Sequence, residues 1–167
     1  MEIRGLARIL GDEVSTELML PIPVLLLPLA AQAEHLLEGA ALGGARISGD
    51  DDILLAGSGF GVGSARPAAR VLLAAGVAAV VARSISQTFI RGAVNYGLPC
   101  FEYALGETSL PTTNGGPVII DVTMGVVRNA DTGEARRLSR LPATLETAML
   151  GGGTLARLVA EGHVRPL

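Results

Sequence analysis

Residues 57–70 read "GSGFGVGSARPAAR", and they lie between two apolar stretches, "DILLA" (52–56) and "VLLAAGVAAVVA" (71–82). Four glycines at alternate positions lead into Ser64, Arg66 and Pro67. Glycine lets a backbone approach a ligand closely, and a glycine loop opening a helix is suited to hold an anion. The pattern predicts a buried strand, the loop, and then a helix over 64–75 with Ser64 or Ala65 near its cap. Pro67 falls in the first turn, where proline is tolerated, and Gly76 closes the helix. "VAAVVA" (77–82) reads as a second buried strand. Residues 53–82 thus form a β–loop–α–β unit, and the fold class expected is α/β with a mixed sheet flanked by helices.

Outward from this unit the signals are weaker. "IRGLARIL" (3–10) suits a first strand, and "GDEVSTELMLP" (11–21) a polar loop returning to apolar residues. "AAQAEHLLEGA" (30–40) has helical composition with a stop near Gly39. In "GDDDILLAG" (49–57) the acids are expected on a solvated turn before the strand, since no other metal ligands are spaced with them. "SISQTFIRGAVNYG" (84–97) reads as a helix capped by Ser84 and stopped by Gly97, and "LPCFEYA" starts the next strand. "PVIIDVTMGVVRN" (117–129) suggests two strands around "TMG". "PATLETAMLGGGTLARLVAEG" (142–162) gives two helical pieces broken by three glycines. No internal repeat stands out, and 167 residues fit one domain, 1–167.

Composition removes several chemistries. All 13 basic residues are arginine, so a Schiff-base lysine, a P-loop lysine and a Tyr/Lys dehydrogenase pair are impossible within the chain. The net charge of −3 provides no field for nucleic acid. One cysteine, Cys100, excludes an internal disulfide and cannot hold an iron–sulfur cluster by itself; its apolar strand marks it as a small buried hydrophobe. His35 and His163 sit in no metal-spacing motif, so no metal site is expected; His35 reads as a surface helix residue. The uncharged run "LMLPIPVLLLPLAAQA" (18–33) is too short to span a membrane comfortably and carries Pro21, Pro23 and Pro28. Its "AQA" resembles a signal-peptidase site, but the acids Glu2, Asp12, Glu13 and Glu17 before it outweigh Arg4 and Arg8. A cytoplasmic protein with no membrane segment is expected.

Three uses of the glycine loop are open. Gly57, Gly61 and Gly63 match a nicotinamide-binding spacing, with Arg83 placed to meet a 2′-phosphate. Against this, the loop comes some fifty residues into the chain and no catalytic lysine exists. In a purely structural use, the glycines let strand and helix pack closely and Arg66 is a surface charge. In the third, the loop is a carboxylate site. Arg66 would bind a carboxylate through parallel hydrogen bonds, and Ser64 would direct its hydroxyl at the neighbouring carbon. The loop alone offers that serine neither a base nor an electrophile for a leaving group.

The chain resembles, over roughly residues 9–156, the small subunit (swivelling domain) of the aconitase superfamily, especially that of 3-isopropylmalate dehydratase and homoaconitase. "GDEVSTELMLP" is similar to the family's opening with its T-D pair, and "GDDDILLAGSGFGVGSARPAA" to the stretch ending in G-S-S-R-E-x-A. "AGVAAVVARSISQTFIRGAVNYGLPCFE" is similar to the stretch that closes on R-N-x-x-N-x-G-L-P. "DVTMGVVRNADTGE" and "LPATLETAMLGGGTL" resemble the closing hairpin and final helix. The resemblance implies a swivelling β/β/α domain like the aconitase C-terminal domain. It also implies a partner, a larger subunit whose [4Fe-4S] cluster binds the substrate, with no cofactor held by this chain.

By position, Ser64 is implied as the general base and Arg66 as the substrate-carboxylate clamp. The backbone from Gly63 to Arg66 is implied to help stabilise the serine alkoxide, and Gly63, Ala65, Thr16 and Glu17 to bind substrate. The activity implied is a hydro-lyase that moves a hydroxyl between neighbouring carbons of a small hydroxy-di- or tricarboxylate, with a role in leucine biosynthesis. Departures from the pattern mark Ala65 in place of the second serine, Pro67 in place of the glutamate, and Glu17 in place of the aspartate. "IPVL" (22–25) stands where the isopropylmalate enzymes often have G-R-Y-L, the start of a substrate-discriminating loop. Arg91 and Asn95 are kept, an earlier arginine is lost near Gln87, and Arg91 is expected in a structural ion pair, with contact to substrate or partner as the alternative. Two alternatives stand beside this enzyme: a non-catalytic interaction subunit, and a homoaconitase-type subunit for another hydroxy acid.

Overall fold

A computed structural model describes residues 1–37, 47, 51–107 and 110–165. Its strands are β1 (Glu2–Ile9), β2 (Asp52–Ala56), β3 (Val77–Ala82), β4 (Cys100–Tyr103), β5 (Pro117–Asp121), β6 (Val126–Asn129) and β7 (Ala135–Ser139). They close into a barrel in the order β1-β2-β3-β4-β7-β6-β5. β1 to β4 are parallel, with Ile9 opposite Leu55 and Leu55 opposite Val81. The remaining pairings are antiparallel, and β5 returns to β1 to close the ring.

The sheet is therefore mixed, as expected, and its closure is an addition to the expectation. Every residue of β2 is buried, because one face fills the barrel and helices cover the other. Such strands read as continuous apolar runs, which is why "DILLA" and "VAAVVA" are legible. In β7, "ARRLS", burial alternates and one residue of five is fully inside. That strand has no counterpart in the sequence reading.

The proline-punctuated run 18–33 folds as short helices. α1 (Thr16–Met19) is capped by Ser15, whose hydroxyl accepts from Leu18 N at 3.2 Å. Pro21 and Pro28 precede α2 (Ile22–Leu25) and α3 (Leu29–Glu34), where a missing N–H costs nothing. The helix expected at 30–40 is α3, with half-buried His35 at its C-cap; Gly39 lies outside the described residues. Among the described residues no helix is long and apolar enough to cross a membrane.

Two helix starts differ from expectation. α4 (Ala68–Ala74) begins after Pro67, not at Ser64. Before it, Arg66 N bonds the Ser64 carbonyl and Ala68 N the Arg66 carbonyl, both at 2.8 Å, so the chain turns tightly instead of coiling. α5 (Gln87–Tyr96) is capped by Ser86, which accepts from Phe89 N at 3.1 Å. Ser84 instead faces the glycine loop, where its hydroxyl accepts from Gly59 N. Gly97 ends α5 at φ +80°, as its position predicts.

α6 (Ala143–Leu150) and α7 (Thr154–Ala160) are separated by the three glycines. α5 packs on α4, α6 and α7. The acids before β2 also depart from a wholly solvated turn. Asp51 is exposed, but Asp52 is fully buried and takes Arg8 Nε at 2.9 Å. Asp50 lies outside the described residues.

Candidate functional site

The loops after β1 and β2 leave the carboxyl ends of neighbouring parallel strands, the place where open α/β sheets also gather ligands. Backbone bonds zip them together: Glu13 N to Ser58 O at 2.7 Å, Gly61 N to Val14 O at 2.9 Å, and Thr16 N to Val62 O at 2.8 Å. Asp12 accepts from Ser58 N at 2.7 Å. The segment after β3 holds the loop from the other side. Phe60 N bonds the Ser84 carbonyl at 3.0 Å, and Gly59 N bonds the Ser84 hydroxyl at 2.8 Å. The glycine loop is clamped between two chain segments, which fixes the direction of the residues that follow it.

The zipper brings Thr16 and Glu17 to Ser64. The Ser64 hydroxyl donates to Glu17 Oε1, and Ser64 N donates to the same oxygen at 2.9 Å. Thr16 Oγ1 donates to the Ser64 carbonyl at 2.8 Å, with Glu17 Oε2 at 3.2 Å. Arg66 Nη1 donates to the Leu20 carbonyl, and its Nε lies 3.8 Å from Glu17 Oε1. Gly63 adopts φ +104°, and a Cβ there would fall 2.0 Å from Glu17 Oε2. Glycine is the residue that lets this carboxylate come so close.

Hydrogen bonds from the Ser64 hydroxyl first, then from the Ser64 amide, pull the Glu17 carboxyl from 4.5 to about 2. Glu17 is therefore an anion across the ordinary pH range. A carboxyl depressed in the folded state contributes stability that is complete above its unfolded value and is lost as pH falls through the folded value. Between pH 4.5 and 2 the unfolding midpoint of the wild type should consequently fall more steeply than that of Glu17→Gln. Thermal denaturation of both proteins across that window is the check, and parallel curves would count against the depressed carboxyl.

Thr16, Ser64, Ala65 and Arg66 line one wall of a cleft of about 330 Å³, and the face of α5 carrying Thr88, Arg91, Gly92, Asn95 and Tyr96 forms the other. Ser64 and Ala65 are exposed, Arg66 is mostly covered, and Thr16 is 3% exposed with its hydroxyl committed to the loop. Thr16 thus holds the loop more than it faces the cleft. The implied backbone cradle differs too, since the amides of Ser64 and Arg66 are already bonded to Glu17 and to the Ser64 carbonyl. With α4 starting at Ala68, Ser64 and Arg66 lie outside that helix and are not part of its amino-terminal turn.

Arg91 is a further correction. It is exposed, and it makes no ion pair or hydrogen bond among the described residues. The sequence pattern marks Arg91 and Asn95 but does not place them opposite Ser64. Their spacing is the available signal, because positions 88, 91, 92 and 95 share one helix face.

A serine paired to a carboxylate, with two arginines around one cleft, defines an α/β barrel carrying a candidate site for a small anion. Comparison with known proteins gives the family. No protein-family model matches the chain. It is 33% identical over 162 residues to 3-isopropylmalate dehydratase small subunit 1 of Methanopyrus kandleri, covering 96% of this chain and 94% of that one. The small subunit 1 of the Thermotoga maritima enzyme is 36% identical over 163 residues, at 96% of each chain. A crystal structure of 3-isopropylmalate dehydratase from Methanocaldococcus jannaschii superposes with a TM-score of 0.81 at 25% identity, covering 97% of this chain and 96% of that one. The chain belongs to the family of 3-isopropylmalate dehydratase small subunits.

Proposed function

We propose that the chain is the small subunit of a heteromeric hydro-lyase, active only with a larger subunit. It would isomerise a malate-type hydroxy acid by loss and readdition of water, in the cytoplasm and in leucine biosynthesis. The observation that carries this reading is the Ser64 hydroxyl, which points its proton at an ionised Glu17 beside Arg66. Arg66 keeps Nη2 without a partner among the described residues, and that group takes a substrate carboxylate. The carbon beside that carboxylate loses its proton to Ser64 Oγ while the serine's own proton passes to Glu17. The C–H electron pair becomes the double bond, and the hydroxyl on the next carbon leaves with its bonding pair. Addition of water across the double bond in the other sense completes the isomerisation. Glu17 is a weak base at about 2, so its service is to take a proton transiently and return it.

The acceptor of the leaving hydroxyl is assigned to the larger subunit. Cys100 is 1% exposed against Met149, and burial pushes its thiol up to about 12. No group of three His, Cys, Asp or Glu side chains able to hold a metal ion occurs among the described residues. A single cysteine cannot ligate a [4Fe-4S] cluster, so the cluster is assigned to the larger subunit, where it would act as a Lewis acid toward that hydroxyl. The whole of 1–167 would move as one swivelling domain against that subunit.

The rival reading, an interaction subunit without chemistry, rests on Ala65, which presents no hydroxyl to the cleft. Anaerobic reconstitution with the larger subunit, assayed by hydration of a panel of unsaturated dicarboxylates, separates the two. The enzyme reading expects turnover that requires both chains. A stable complex that turns over no member of the panel would leave the interaction subunit.

A further inference from the structure

The cleft has a second cationic wall that the reaction just described does not use. Arg91 lies on the exposed face of α5, one turn after Thr88 and one turn before Asn95, and all three line the cleft shared with Ser64 and Arg66. A hydroxyl, a guanidinium and a side-chain amide thus follow one another along a single helix face. The opposite face of α5 is anchored in the core by Phe89, Ile90, Ala93 and Val94, so the row of donors is held on a rigid element.

Arg66 and seven other arginines, Arg8 and Arg136 among them, each have a carboxylate within 4.0 Å. Arg91, like Arg70 and Arg165, has none among the described residues. Arg66 and Arg91 are the charged side chains among the described residues lining the cleft; Glu17 lies 3.8 Å from Arg66, whereas the lining residues of the α5 wall include no acid. A ligand with two negative groups would meet one guanidinium on each wall of this cleft of about 330 Å³. The volume is that of a small-molecule site.

We propose that Arg91, assisted by Asn95 and Thr88, binds the second carboxylate of a dicarboxylate whose first carboxylate is taken by Arg66. This assignment rests on the hydro-lyase reading above and extends it, since it selects dianions over monoanions and fixes the substrate across the mouth of the cleft. Arg91 touches the substrate away from the reacting carbon, so it acts on binding more than on the chemical step.

The test uses the reconstituted heteromer with Arg91→Gln, Arg91→Lys and Ser64→Ala, and compares a hydroxy diacid with its half-amide. Loss of a charge-assisted contact should raise KM for the diacid about 30-fold in Arg91→Gln, more than it lowers kcat. Arg91→Lys should recover part of that loss, and the preference for the diacid over the half-amide should shrink in Arg91→Gln. Sedimentation should find the heteromer of both Arg91 variants intact. An unchanged KM in Arg91→Gln beside an inactive Ser64→Ala overturns the Arg91 assignment alone. So does a variant whose defect is failure to associate, which would make Arg91 a contact with the larger subunit. A Ser64→Ala heteromer as fast as wild type overturns the reading of the cleft itself, and the Arg91 assignment with it.

Discussion

Ser64→Ala should lower kcat of the heteromer by about 10²-fold or more while KM stays within a few-fold, the scale set by loss of a general base. A factor of 100 corresponds to about 2.7 kcal/mol of transition-state stabilisation. The separation of kcat from KM follows from the geometry. Arg66, which would bind the carboxylate, is oriented by the Leu20 carbonyl and by Glu17, and neither bond involves the serine side chain. The loop also survives the change. Alanine retains the amide that bonds Glu17 Oε1 at 2.9 Å and the carbonyl that accepts from Thr16 at 2.8 Å. Glu17 loses one hydrogen bond, but its side chain is 40% exposed and water replaces the serine. The stability of the isolated chain should therefore move by no more than about 0.5 kcal/mol. Steady-state kinetics paired with thermal unfolding gives both numbers. Full activity in the variant would mean that the proton is taken elsewhere.

Much of this fold is legible in the amino-acid sequence, and the reason lies in the parallel half of the barrel. β2 and β3 are buried on both faces, so "DILLA" and "VAAVVA" appear as unbroken apolar runs, and Gly76 and Gly97 end the helices beside them. Short or polar elements give no such signal. α1 has four residues, one turn, whose mark is the Ser15 cap. β7 faces solvent with Arg137 and keeps Leu138 as its one buried residue, too little for period-two reading. Ser64 and Arg66 are visible as chemistry, but their partner is not. That Glu17 holds Ser64 depends on backbone pairing between two loops far apart in sequence, which no local pattern encodes. The late start of α4 has a similar origin, since tight turns at Arg66 and Ala68 replace helical bonds. An ion pair is the ordinary expectation for an exposed helical arginine such as Arg91; its place opposite Ser64 follows from how α5 packs on α4.

Gly61→Val should lower the melting temperature of the isolated chain by roughly 10 °C, the fall expected for about 3 kcal/mol in a protein of this size. Two costs combine. Gly61 sits at φ +72°, where a β-branched residue is strained, at about 1–3 kcal/mol. Its Cβ would also lie 2.5 Å from Phe89 Cβ and 2.6 Å from Phe89 Cγ, inside any real contact distance. Phe89 cannot give way cheaply. It is 4% exposed and meets the Phe60 ring edge to face with centroids 5.1 Å apart, and Phe60 is 1% exposed. Overpacking of that kind costs about 1–3 kcal/mol. Gly61→Ala keeps the strain and both Cβ contacts but adds no methyls beyond Cβ, so it should lie between the variant and wild type. The damage also reaches the cleft, since Gly61 N–H bonds the Val14 carbonyl at 2.9 Å and that bond helps hold Glu17 against Ser64. Calorimetry of the three proteins decides the matter. A valine variant melting within about 2 °C of wild type would correspond to under 1 kcal/mol, and would mean that α5 can retreat from the glycine loop. In that case the two walls of the cleft are not rigidly spaced.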